Sequence, residues 1–275
     1  MSARTAVLEG RLLSKRYAGV EALREVSLAV HPGEVTCLLG DNGAGKSTLI
    51  KIISGVHQQD EGELLIDGEP VRLRSPRDAR ARGIATAYQN LATMPLMSIW
   101  RNFFLGAEPI RRAGPLRLLD AGACRRIVRA ELLKVGLDVR DPDQAVGTLS
   151  GGERQAVAIA RALHFGARAL ILDEPTSALG VKQTSNVLRF IANARDNGVG
   201  VVFVTHNPHH AYPVGDRFAV LSRGRLIGSW RRGEISRADL ADAMSGGAEL
   251  AELTGSLRRA DPATDPVDPT DSMED

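Results

Sequence analysis

Cysteine is scarce: Cys37 and Cys124 are the only two in the chain, too few for a disulfide framework, and with Cys37 inside an apolar run both read as buried reduced thiols. Aromatic residues are few as well, at 4%. The arginines are scattered rather than interleaved with aromatic side chains, which speaks for a solvated surface and against a nucleic-acid partner. Long hydrophobic runs are missing. The longest apolar stretches, 199–204 and 169–172, have the length of strands. They fall far below the roughly 18 residues of a membrane span, so the chain is not expected to cross a bilayer by itself. Its opening residues, MSARTAVLEGRLLSKRY, lack the apolar stretch and small-residue cleavage site of a secretory signal, which predicts a protein that stays in the cytosol.

What is present is ordinary globular material. Apolar residues make up 43% and charged residues 25% of the 275, enough to bury a core. The length suits one α/β core carrying an inserted or appended lobe. The formal charge of +2 hides an asymmetry, because residues 255–275 hold six acids against Arg258 and Arg259 and leave the rest basic. The final stretch, DPATDPVDPTDSMED, combines regularly spaced Pro with Asp and almost nothing to bury. Residues 248–275 are therefore predicted to be a disordered acidic tail.

Short strands are predicted at Leu12 and Leu13, at 26–30 and at 35–39, with His31-Pro32-Gly33 as the turn between the last two. The run 35–39 is bounded by turn signals, ends at Gly40 and reads as a buried central strand. From Lys46 to Ser54, apolar Leu49, Ile50, Ile52 and Ile53 and a stop at Gly55 suit a helix with a glycine cap. Asp67-Gly68 marks a hairpin between 64–66 and 71–73. Residues 89–154 turn helical: Ser98 is expected to cap one short helix, and Asp120 a longer one with Ile127, Val128, Leu132 and Leu133 on its inner face. Strand signals return at Ala169, followed by helix 182–195, strand 199–204 and a hairpin of 218–221 with 226–230. Such alternation implies a largely parallel sheet, built from 1–88 and 155–247, with 89–154 inserted as a helical lobe.

Gly40-Asp41-Asn42-Gly43-Ala44-Gly45-Lys46-Ser47 matches the phosphate-loop pattern GxxxxGK[ST]. The glycines permit positive φ and close backbone approach, so that successive N–H groups wrap a polyphosphate at a helix start. Lys46 is placed to neutralise the β and γ phosphates and Ser47 to offer its hydroxyl to Mg2+. A chance glycine turn is the plainer reading, and the strand before and helix after weigh against it. Leu170-Ile171-Leu172-Asp173-Glu174 is an apolar strand ending in two carboxylates, where a parallel sheet presents its ligand crevice. Asp173 suits Mg2+, and Glu174 suits the proton of an attacking water; without the loop they would pass as solvated acids. Ser150 can cap a helix beginning near Glu153, with Gly151 and Gly152 leaving N–H groups uncovered at its positive end, a second anion site. His206, His209 and His210 could serve a metal, but no Cys or acid accompanies them at suitable spacing.

The segment that separates one nucleotide hydrolase from another is Leu149-Ser150-Gly151-Gly152-Glu153-Arg154-Gln155. It resembles the LSGGQ signature of the ATP-binding-cassette family, with Glu153 in place of the usual Gln, and the resemblance extends over about residues 8 to 245. It implies an α/β P-loop NTPase cassette with a mostly parallel central sheet, an N-terminal antiparallel β subdomain and an inserted helical subdomain. It also implies hydrolysis of ATP with Mg2+ by a homodimer, in which Ser150, Gly151 and Gly152 of one subunit close on the γ-phosphate held by the other. By position, Tyr17 matches the aromatic that stacks on adenine, and the phosphate seat extends to Thr48. Gln89 matches the glutamine that senses Mg2+ and the attacking water, and His206 the switch histidine. One departure stands out: the family usually has SALD where this chain has Ser177-Ala178-Leu179-Gly180. The missing carboxylate belongs to a loop at the dimer interface.

Within the family the chain looks most like ATPase subunits of bacterial sugar importers with one cassette per chain. The residues are Ala178-Leu179-Gly180-Val181-Lys182-Gln183, Tyr88-Gln89-Asn90-Leu91, Met94-Pro95-Leu96-Met97-Ser98, Arg101-Asn102-Phe103-Phe104 and His206-Asn207. This subgroup resemblance implies uptake of a monosaccharide of the fructose, ribose or xylose kind through separate integral membrane permease subunits. A periplasmic or extracellular sugar-binding protein and a peripheral place on the cytoplasmic face of the inner membrane go with it. Residues 94–105 hold two of six Phe, one of two Trp and two of five Met, a groove for a partner's helix or the core of the lobe. A soluble cassette acting as a nucleotide-gated scaffold is the alternative function. A kinase conflicts with the signature segment.

Overall fold

The computed structural model describes residues 5–245 apart from 90, 114, 115 and 178; the expected acidic tail lies outside the described residues. The chain opens with β1 (Leu8–Tyr17) and β2 (Val20–Val30), joined by Ala18-Gly19 at φ 44° and 86°. Both values are positive, as a two-residue hairpin turn requires. Next come β3 (Val35–Leu39), α1 (Lys46–Ile53), β4 (Glu61–Ile66), β5 (Glu69–Val71), α2 (Pro76–Ala81) and β6 (Ile84–Ala87). The middle holds α3 (Ile99–Phe104), β7 (Ile110–Ala113), β8 (Leu116–Leu119), α4 (Ala121–Lys134) and α5 (Gly151–His164). It is followed by β9 (Ala169–Asp173), α6 (Val181–Asp196), β10 (Gly200–Thr205), α7 (Pro208–Ala211), β11 (Arg217–Ser222), β12 (Arg225–Arg231) and α8 (Arg237–Met244).

The central sheet has the order β12-β11-β3-β10-β9-β6 and is parallel except for β12, while β2-β1-β4-β5 form a separate antiparallel sheet. This is the α/β class expected from the strand and helix alternation. Both faces of the central sheet are covered, which is why its strands read as continuous apolar runs rather than alternating ones. Cys37, Leu170, Leu172, Val201, Phe203 and Phe218 point to one core, shared with α4, α5 and α6. Their neighbours Leu38, Ala169, Ile171, Val202, Val204 and Ala219 point to another, shared with α1 and the antiparallel sheet. Helix α6 shows the matching helical period: Thr184, Val187, Phe190, Ile191 and Ala194 are its buried stripe. Both thiols are free and buried, and burial drives that of Cys37 far above its ordinary range.

The middle region differs from the helical lobe expected over 89–154. β7 and β8 pair as two antiparallel strands, and Ile110, Leu116, Leu118 and Leu119 on them are exposed. Ser98 stands at the start of α3 without capping it, its buried Oγ lacking a partner. Asn102 does the tying instead. Its amide donates to the carbonyls of Met94, Met97 and Ser98 at 3.0–3.1 Å and its Oδ1 accepts from the Met94 N–H at 2.8 Å. On α4 the inner face is Cys124, Val128 and Leu132, with Asp120 capping the helix through the Ala123 N–H at 2.8 Å. Leu133 is 61% exposed, since one residue beyond Leu132 turns about 100° away from that stripe. The 94–105 patch divides as well: Ile99, Trp100, Phe103 and Phe104 are core, whereas Met94 and Leu96 are exposed, Leu96 at 96%.

Candidate functional site

Parallel pairing decides where the chemistry gathers. With β11, β3, β10, β9 and β6 all running the same way, whatever follows each strand arrives at one edge of the sheet. After β3 comes the loop from Gly40, after β9 comes Glu174, after β10 comes His206, and Gln89 lies two residues beyond β6. A cleft of about 440 Å³ opens at this edge, lined by residues 41–48, Gln89, Asp173 and Glu174, and also by Val20, Glu21, Ala22, Arg223 and Gly224.

The loop geometry follows from its glycines. Gly40 is at φ 143° and a Cβ there would lie 2.1 Å from the Leu221 carbonyl oxygen; Gly45, at φ 104°, would collide with the Ala22 carbonyl oxygen at 2.7 Å. Only glycine fits either place. Gly45 also begins α1, with no side-chain cap and no acid in the first turn. The first-turn N–H groups of a helix have no intrahelical partner, so α1 presents donors and the positive end of its dipole to the cleft. Lys46 is buried, its Nζ donating to the carbonyls of Gly40 and Asp41, the latter at 3.0 Å. Burial lowers the Lys46 pKa, against the opposing pull of Glu174, Asp41 and Asp173. A cation hydrogen-bonded to backbone carbonyls beside open N–H donors is the arrangement that a polyphosphate completes.

Across the cleft, burial raises the pKa of Asp173, and the neighbouring Glu174 adds to the rise while Lys46 and Lys51 oppose it. The Glu174 side chain is 13% exposed and its Oε1 lies 2.9 Å from His206 Nδ1. Its other oxygen, Oε2, is buried without a partner, so the carboxylate keeps free acceptor capacity at the cleft. Gln89 donates to Ser177 Oγ at 3.3 Å, and that hydroxyl donates to the Glu174 carbonyl at 2.8 Å. No group of three or more His, Cys, Asp or Glu among the described residues is arranged to hold a metal, which leaves the histidine cluster without metal geometry. A hydroxyl, an amide and one carboxylate do fit Mg2+, an ion that retains waters and takes its remaining oxygens from substrate phosphates. Ser47, Gln89 and Asp173 all line the cleft.

Three expected participants lie elsewhere on the chain. Tyr17 does not line the cleft; it packs edge-on against His57, with Lys15 over its ring. His206 reaches the site only through Glu174. Ser150, Gly151 and Gly152 form the start of α5, apart from the cleft lining. There Ser150 Oγ accepts from the Glu153 N–H at 3.3 Å and Glu153 Oε2 accepts from the Ser150 N–H at 2.7 Å, a reciprocal capping box. The two glycines are not simply uncovered: a Cβ on Gly151 would meet Leu179 Cδ2 at 2.6 Å, and one on Gly152 the Gln183 carbonyl oxygen at 3.3 Å. Gly151 allows the segment before α6 to approach, and Gly152 the first turn of α6 itself. Gly180, at the departure from SALD, gives its N–H to Gln183 Oε1 at 2.9 Å and so starts α6.

The lining supplied by Glu21, Ala22, Arg223 and Gly224 was not anticipated from sequence. Gly224 closes the turn between β11 and β12, donating to the Ala44 carbonyl at 2.9 Å and accepting from the Arg24 N–H at 2.8 Å. The hairpin of 218–221 with 226–230 was legible in the sequence, but the clamp of its turn on the loop depends on β11 lying beside β3.

A family model described as ABC transporter matches residues 23–177, more than half of the chain. The chain belongs to the ABC transporter family. As an ABC cassette it is an ATP hydrolase, and its curated relatives include a fructose import ATP-binding protein of Rhizobium meliloti, 44% identical over 90% of this chain and 96% of that one. A xylose/arabinose import ATP-binding protein of Sulfolobus acidocaldarius is 42% identical over 87% of this chain and 94% of its own length. Among solved structures, an ATP-binding cassette of an ABC transporter in its ADP conformation superposes with a TM-score of 0.75 at 22% identity, covering 91% of this chain and 99% of that one. Another cassette, solved as a dimer in a post-hydrolysis state with ADP and Pi, gives 0.68 at 26% identity, over 83% of this ABC cassette and 100% of that chain.

Proposed function

We propose that this ABC cassette is the ATP-hydrolysing subunit of an importer that takes up a sugar, of the monosaccharide class, through separate permease subunits in the membrane. The observation that carries it is Glu174: a carboxylate with one buried, unpartnered oxygen, at the mouth of a cleft whose other side is a glycine loop and Lys46. Its relatives named for fructose and for xylose/arabinose import supply the substrate class. No helix among the described residues is long and apolar enough to cross a membrane, so the work reaches the bilayer through partners. We place the chain peripherally on the cytoplasmic face of the inner membrane, with a sugar-binding protein completing the system outside.

The residues act as follows. The N–H groups of residues 41–48 and the Lys46 ammonium hold the β and γ phosphates of ATP. Ser47, Asp173 and Gln89 would hold Mg2+, which would supply charge neutralisation to the phosphate oxygens. Glu174 takes a proton from the water whose oxygen attacks the γ-phosphorus; the bond to the bridging oxygen breaks and ADP leaves with that electron pair. His206, on Glu174 Oε1, orients the carboxylate and meets the γ-phosphate. Tyr17 stacks on the adenine as the nucleotide extends beyond the cleft. Two copies close head to tail, so that Ser150, Gly151 and Gly152 of one cap the triphosphate of its twin, and a dimeric relative with ADP and Pi supports that assembly.

The test is Glu174→Gln. General-base assistance contributes roughly 10² to 10⁴ in rate, so phosphate release falls by that order while ATP affinity stays within a few-fold of the original. Turnover at the unaltered rate overturns the reading.

A further inference from the structure

Glu174 sits at φ 49°, a left-handed conformation that a residue with a side chain holds only when its surroundings enforce it. The turn that follows is closed locally: the Ser177 N–H and Oγ both donate to the Glu174 carbonyl, at 3.1 and 2.8 Å. Between them Thr176 is 3% exposed, and its Oγ1 lies 3.0 Å from Nδ1 of His210. His210 belongs to α7, next to the segment that delivers His206. The same short segment therefore touches the Glu174 turn twice, at its carboxylate through His206 and behind its backbone through His210.

The network assigns the His210 tautomer. Asn207 Oδ1 accepts from the His209 N–H at 2.9 Å, which turns the Asn207 amide nitrogen toward His210 Nε2 at 3.3 Å. An NH2 group can only donate, so Nε2 must accept and the ring hydrogen resides on Nδ1. From there it donates to Thr176 Oγ1. Protonating the ring would set Nε2–H against the Asn207 NH2 and break the arrangement.

We propose that neutral His210, through its Nδ1–H bond to Thr176, is a positioning residue that locks the Glu174 turn to the His206 segment and so aims the hydrolytic carboxylate. The surroundings agree with a neutral ring: burial lowers the His210 pKa, His206 and His209 lower it further, and Glu174 alone pulls the other way. The lock is complete above the lowered value and lost as pH falls through it.

This inference rests on Glu174 being the general base, and it is tested on the full chain by phosphate release with MgATP. A misplaced reacting group costs up to roughly 10²-fold in rate; for His210→Ala we expect kcat to fall about tenfold, with KM for ATP changed less than twofold. His210→Asn retains a donor near the Nδ1 position and no titrating ring. It should recover most of the turnover and lose the acid-side decline that His210 contributes below about pH 6.5. Thr176→Val should reproduce the loss, and combining it with His210→Ala should add nothing further. Thr176→Val and His210→Asn carry the test should His210→Ala fold poorly. Wild-type turnover and pH profile in His210→Ala, or additive losses in the double variant, overturn the proposal. An inactive Glu174→Gln beside a fully active His210→Ala sinks this inference alone, whereas an active Glu174→Gln removes the reading beneath it.

Discussion

Helices α1 and α5 both begin at glycine-rich segments, and their starts are built in opposite ways. α1 opens on Gly45 at φ 104° with no side-chain cap and no acid in its first turn, and its first residue, Lys46, is a buried cation. α5 opens on Ser150 with a complete capping box and carries Glu153 in its first turn. The first start leaves donors and positive charge to be satisfied from outside. The second satisfies two donors internally, the N–H groups of Ser150 and Glu153, and sets a fixed negative charge against its own dipole. In the proposed function α1 is thus a seat that binds polyphosphate by itself, while α5 is a cap whose fit depends on a partner bringing the phosphate to it. Closing on demand and releasing after hydrolysis call for that inequality.

The comparison breaks most easily at Lys46. Truncating one member of a buried charged interaction costs roughly 2–5 kcal/mol, so Lys46→Ala is expected to weaken ATP binding by about 100-fold, measured by titration with a fluorescent nucleotide. Affinity within threefold of the original would show that the α1 start is not the seat. Ser150→Ala is expected to have a smaller and different effect. Loss of the cap costs about 1 kcal/mol of stability, read as a lower melting temperature, with the ATP affinity of the single subunit unchanged and ATP-driven dimerisation in size-exclusion chromatography weakened. A loss of subunit affinity like that of Lys46→Ala would make the two starts equivalent. The smallest effect belongs to Glu153→Gln, which keeps an oxygen for the Ser150 N–H and removes the charge. A charge at a helix start is worth about 0.3–1 kcal/mol, so dimerisation with ATP, followed in a Glu174→Gln background, should tighten by a few-fold. Weaker association would mean that Glu153 contributes to the contact itself.

How far the site was legible depends on whether its parts are contiguous. The phosphate loop and the strand ending in Asp173 and Glu174 could be read directly, because spacing along the chain is itself the geometry when a strand, a turn and a helix follow one another. The capping role of Ser150 was legible for the same reason. The cap expected of Ser98 is not formed and Asn102 ties the preceding loop, since which polar side chain faces a loop depends on how α3 is rotated. Leu133, expected on the inner face beside Leu132, is exposed because the rotation of α4 buries only Cys124, Val128 and Leu132. Gly152 reads in sequence as an uncovered N–H, yet its place is set by how closely the first turn of α6 comes to α5.

Sequence alone therefore determined the class of fold, the glycine loop that opens α1 and the strand that ends in paired carboxylates, since each depends on local backbone preference and on apolar patterning over a few residues. Only the tertiary structure decided that Gly224 would clamp the loop at Ala44 and that Thr176 would meet His210. Strand order and helix packing bring those residues together from distant parts of the chain, and no short-range preference encodes such a meeting.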